Sequence, residues 1–105
     1  MRRRGHDVLE YELREEQAAT IGRLARELHT ALDALDTFDK ETGAGRAPGE
    51  ECDPQRARLV ETAGYALWNF VVQRECSGFH ETELVLKDYA VPAEVRAKMG
   101  VFRPR

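Results

Sequence analysis

Apolar residues in the first part of the chain fall at Ile21, Leu24, Leu28, Ala31, Leu35 and Phe38, at alternating steps of three and four with polar residues between them. That spacing returns side chains to one face of an α-helix, and Ala25 and Leu32 widen the stripe to the width a globular helix buries. From Val8 to about Thr42 neither proline nor a turn cluster intervenes, so one helix is expected there, with Gly43 as its stop. About 30 residues at about 1.5 Å each make a rod of about 45 Å, longer than a domain this small can cover. Upstream of Ile21 the stripe meets Gln17, Arg14 and Glu10. The first turns are therefore expected to protrude into water or meet another chain. Glu10, Glu12, Glu15 and Glu16 read as acidic opening turns suited to the positive end of the helix dipole.

Asp53-Pro54 places a capping residue before a proline, the order that opens a helix. This second helix is expected to run to about Cys76. At about 100° per residue, Val60, Ala63, Gly64, Leu67 and Val71 centre one face, with Leu59, Phe70, Trp68 and Val72 on its flanks. The arc exceeds half the circumference, so the helix is expected to lie in the middle, touched on two sides. Thr62, Ala66, Asn69, Gln73 and Cys76 form a narrow row opposite, read as a wet edge. Ala18, Gly22 and Ala25 on the first helix match Ala63 and Gly64 on the second, which suggests a close approach of the two backbones.

Gly78 stands where a left-handed residue would end the second helix. Residues 81–89, with Leu84, Val85, Leu86 and Tyr89, read as a short helix; their composition also suits a strand, but no second strand signal exists to pair with it. Pro92 opens and Gly100 closes a last helix with Val95 and Met99 on one side, and "VFRPR" is a tail. The expected fold is all-α and a single domain over residues 1–105: a long first helix packed against a central apolar helix, closed by two short C-terminal helices. Residues 1–7 are expected as a flexible basic arm and 43–53 as a linker.

Composition narrows the function. The 105 residues carry 16 Lys and Arg against 19 Asp and Glu, a net charge of -3, which provides no broad field for a polyanion and disfavours nucleic acid. The alternative basis for such binding is Arg2-Arg3-Arg4, aided by Arg103 and Arg105. Cys52 and Cys76 are too few for a disulfide framework. The basic start is interrupted by Asp7, Glu10 and Glu12, and the longest apolar run, Ala63–Val72, falls short of the roughly 18 residues a membrane span needs. A cytoplasmic chain with no membrane segment is expected.

The motifs with chemical potential are weak. "GAGRAPGEECD" (residues 43–53) comes near a phosphate-binding glycine pattern, but Gly49 is one residue late and the run follows a helix instead of a strand. It reads as a loop. Cys76 and His80 stand four apart, yet Gly78 between them breaks the helical face that would present both to a metal. Leu84 occupies the place of the second His of HExxH, and no His has a Glu three residues before it. Asp33, Asp36 and Asp39 lie off the apolar stripe and read as a solvated face, and Glu83 with Lys87 as an ordinary helical pair. No catalytic residue, cofactor or metal is assigned, and a small metal-dependent protein centred on Cys76 and His80 stands as an alternative.

These features favour a non-enzymatic helical interaction protein, a small scaffold or regulatory subunit, that forms a homodimer. Its candidate interface residues are Leu9, Tyr11 and Leu13 on the first helix and Trp68 and Val72 on the second. The segments "LEYELREEQAATIGRL", "LWNFVVQRE" and "KDYAVPAEVRAKMG" resemble an uncharacterised family of small bacterial all-helical proteins, a domain of unknown function. The resemblance covers nearly the whole chain apart from the loop at 43–53. It implies an all-α fold and assigns no activity, cofactor or site residue.

Overall fold

The computed structural model describes residues 2–42 and 53–99. Four helices follow in chain order, α1 (Arg2–Glu41), α2 (Pro54–Cys76), α3 (Thr82–Asp88) and α4 (Ala93–Lys98), with no strand among the described residues. The expected all-α architecture is the one observed, and residues 82–88 are helix. Residues 43–52 of the expected 43–53 linker, which include the stop residue Gly43, lie outside the described residues, as do the stop residue Gly100 and the tail.

Helix α1 starts at Arg2, six residues before the expected Val8, so the backbone of the basic arm is helical from residue 2. Arginine is a good helix former, and Gly5 alone in that stretch opposes the helix. The acidic residues 10–16 consequently sit inside the helix; its first turn holds no acid, and their reading as dipole-facing residues is corrected. At the other end the Thr42 hydroxyl donates to the Phe38 carbonyl at 2.8 Å and the Thr42 amide donates to the same oxygen at 3.0 Å.

The middle of the α1 stripe is buried as its spacing requires, while its ends, Ile21 and Phe38, are half-buried. Leu24, Leu28, Ala31 and Leu35 face Val60, Ala63, Ala66, Leu67, Phe70 and Val71 of α2, and Val85, Leu86 and Val95 complete the core. Helix α2 starts as expected, with the Asp53 carboxylate accepting from the Gln55 amide at 2.8 Å and the Arg56 amide at 3.4 Å. It is the central helix, packed against both α1 and α4. Tyr89 closes the core edge to edge with Phe70, ring centroids 5.5 Å apart.

Two details of the packing differ from the sequence reading. Gly64 serves α4, since a Cβ there would stand 2.8 Å from Lys98 Cβ and 3.3 Å from the Val95 carbonyl oxygen. A Cβ on Gly22 would meet only the Arg26 guanidinium, at 3.6 Å, and no atom of α2 within 4 Å. The expected match of small residues between the first two helices therefore does not form. Ala66 is the second difference: it was placed on the wet row, yet it is buried. The α1 seam extends round α2 as far as Ala66, which shares the core with Ala31.

The turns after α2 and α3 share one construction. Gly78 has φ +95, the Phe79 amide donates to the Arg74 carbonyl at 2.8 Å, and the Gly78 amide donates to the Glu75 carbonyl at 3.1 Å. This is a Schellman ending, as the glycine implied. Two residues past the end of α3 the pattern recurs with alanine in the left-handed place: Ala90 has φ 50, Val91 donates to Leu86 at 3.0 Å, and Ala90 donates to Lys87 at 3.1 Å. The Arg74 guanidinium lies 5.3 Å from the centre of the Phe79 ring and 5.6 Å from that of Phe70, holding the first turn against the helix it ends.

Candidate self-association surface

Helices α1 and α2 run antiparallel, and their pairing decides what remains uncovered. Asp39 is paired with Arg56, and one groove is lined jointly by α1 residues between Arg23 and Ala34 and α2 residues between Thr62 and Asn69. Each step down α1 thus matches a step up α2, which brings Cys76 level with about residue 19. Residues 2–18 of α1 consequently extend about 26 Å beyond the end of α2. Every residue from 8 to 19 is exposed, and the molecule measures 67 × 28 × 24 Å.

All five residues named from the sequence as interface candidates are exposed: Leu9 (56%), Tyr11 (64%) and Leu13 (54%) on the projecting half, Trp68 (41%) and Val72 (37%) on α2. They do not form one patch along the chain. Trp68 and Val72 belong with exposed Tyr65 to a stripe at i, i+3 and i+7 that neither α1 nor α4 covers. Leu9 and Leu13 share one side of α1, whereas Tyr11 and the equally exposed Val8 lie on the other.

The two faces of the α1–α2 hairpin differ. On one, α3 and α4 pack down and leave an open cavity of about 490 Å³ between His29, Asp33, Asp36 and Asp39 of α1 and Asp88 and Tyr89 at the end of α3. Its aspartates are partly engaged. Lys40 approaches Asp36 to 2.9 Å, and that hydrogen bond, with the aspartate's charge, raises the lysine's pKa above its ordinary value. Arg56 engages Asp39. On the other face, a groove of about 530 Å³ is floored by Ala31, Ala34 and Ala66, walled by Tyr65, and edged by Arg23, Arg26 and Glu27.

Arg56 ties three helices together. Its Nε and Nη2 donate to the two Asp39 oxygens at 2.7 and 3.0 Å, and its Nη1 and Nη2 donate to the Glu94 oxygens at 2.7 and 2.6 Å. Donation to Glu94 first, then to Asp39, raises the guanidinium's pKa further above its ordinary value. Only 14% of the Arg56 side chain is exposed, and two bidentate pairs use the planar fork fully. The reading of Asp39 as part of a solvated face is thereby corrected: it is half-buried and salt-bridged. Its signal in the sequence was slight, because Asp39 sits one step from Phe38 at the border of the stripe and its partner lies 17 residues on.

Cys76 and His80 are both exposed and stand on either side of the Gly78 turn. Among the described residues no three His, Cys, Asp or Glu side chains gather as a metal-binding group. Cys52, Arg103 and Arg105 lie outside the described residues, as do the side chains of Arg2-Arg3-Arg4, so the basic cluster suggested by the sequence has no described geometry. No helix among the described residues is long and apolar enough to cross a membrane.

Residues 2–104 match the model of a family described as a family of unknown function, DUF6665, and the chain belongs to that family. No curated protein and no solved structure matches it.

Proposed function

We propose that this family member is a non-enzymatic helical interaction protein, a small scaffold or regulatory subunit of the cytoplasm, that self-associates as a homodimer through its long first helix. One observation carries the reading: nearly half of α1 projects past α2, the one other long helix among the described residues, with Leu9, Tyr11 and Leu13 more than half exposed. A single helix in water is marginal when it has no partner along its side, and Leu9 and Leu13 give one side of the projection an apolar pair that a partner would cover. Two-fold pairing is the commonest way for such a surface to close.

Light scattering coupled to size exclusion at micromolar concentration tests this. A mass of twice 11.9 kDa supports the homodimer, and removal of residues 2–16 should return the chain to monomer. A mass near 11.9 kDa overturns it. Fractionation of cells expressing the tagged chain checks the cytoplasmic assignment, which recovery in a membrane or secreted fraction would refute.

A further inference from the structure

We propose that the occupant of the open α1–α2 groove is the projecting half of α1 from a second copy, laid antiparallel, with each chain filling the other's groove. This rests on the self-association reading above and names the seam.

Length and direction agree. The groove runs along α1 from Arg23 to Ala34, about 17 Å, and the projection is about 26 Å long. At about 100° per residue, Leu9, Leu13 and Glu16 lie within about 60° of one another, and Arg23 and Ala34 fall on the same side of the helix. The projecting half thus presents its leucines on the side to which the groove opens. Two copies of α1 crossing antiparallel near residue 20 set the partner's Glu16 opposite Arg23 and Arg26 and the partner's Leu9 and Leu13 over the groove. Both contacts occur twice, as an isologous pair requires.

Shape and charge agree as well. Alanines at 31, 34 and 66 form a floor low enough for a second helix to approach closely, and Tyr65 offers an apolar wall. Glu12, Glu15 and Glu16 make no ion pair among the described residues, nor does Arg26 at the groove's edge, and Arg23 is paired only with Glu27 of its own helix. Residues 8–18 of the projection carry Glu10, Glu12, Glu15 and Glu16 against Arg14, and the groove's rim carries Arg23 and Arg26 against Glu27, so the antiparallel register that sets the partner's Glu16 beside the two arginines is the complementary one.

The test measures the mass and dissociation constant of the full chain and its variants, with helical content by circular dichroism confirming the fold. Ala34 is exposed, so Ala34→Trp fills the groove without entering the core and should give monomer. Glu16→Arg and Arg26→Glu should each weaken the dimer about tenfold, the double variant should recover much of the loss, and added salt should weaken the wild-type dimer. A dimer indifferent to Ala34→Trp and to both charge reversals overturns the groove while leaving self-association standing. If Trp68→Glu abolishes that dimer, the seam is the α2 stripe instead. A wild-type chain that stays monomeric overturns both proposals.

Discussion

Gly64 of α2 stands so close to Lys98 of α4 that a side chain at Gly64 would put its Cβ 2.8 Å from the lysine's Cβ. The obstructing atoms belong to the stem and backbone of α4, so they yield only if the helix moves. Gly64→Ala should therefore destabilise the fold by about 1–2 kcal/mol, overpacking outweighing the gain in helix propensity. Gly22→Ala should do the opposite and stabilise by about 0.5–1 kcal/mol, since its Cβ meets only a flexible guanidinium 3.6 Å away. Denaturant midpoints for the two variants check the contrast; shifts of the same sign would refute it.

The paired turns make a second contrast. Gly78→Ala should cost about 1 kcal/mol, a purely conformational penalty because nothing lies within 4 Å of the new Cβ. Ala90→Gly should stabilise by up to about 1 kcal/mol, relieving an alanine held at φ 50. Thermal melts read both effects, and a lower melting temperature for Ala90→Gly would show that the side chain earns its place by packing.

Removing the three-helix clasp should be costly. Arg56→Ala leaves the half-buried Asp39 without its bidentate partner and removes the ion pair that ties Glu94 of α4 to the α1–α2 hairpin, with an expected loss of about 1–3 kcal/mol. Arg56→Lys should recover only part of it, because one ammonium lacks the fork that reaches both carboxylates. Equal stability of the lysine variant and the wild type would show that charge alone suffices.

Hydrogen exchange should separate the two halves of α1. In dilute protein the amides of residues 10–17 are expected to exchange far faster than those of 28–35, which lie under α2. Their protection should rise with concentration as the projection finds a partner. Uniform slow exchange along α1 in a sample shown to be monomeric would mean that the projection is stable alone.

Much of this architecture follows from local pattern. The α1 stripe, the Asp53-Pro54 start of α2 and the Gly78 ending are each specified within a few residues, because helical periodicity, capping and the left-handed turn act over one or two turns of chain. The excess length of α1, and with it the exposure of Leu9, Tyr11 and Leu13, also follows from comparing one long stripe with the short segments available to cover it. The groove was not legible. It depends on which face of the hairpin α3 and α4 choose, and that choice is made by contacts between residues distant in sequence.

The same limit explains why identical residue types took different roles. Sequence alone determined that Gly22 and Gly64 lie in helices and that Asp36 and Asp39 lie off the core stripe. Only the tertiary structure decided that α4 arrives against Gly64 and leaves Gly22 open, and that Asp39 receives Arg56 while Asp36 has Lys40 from its own helix. Intrinsic preferences act through each residue's near neighbours along the chain, whereas close approach and ion pairing depend on which distant helix is brought alongside, and burial of the shared core sets that.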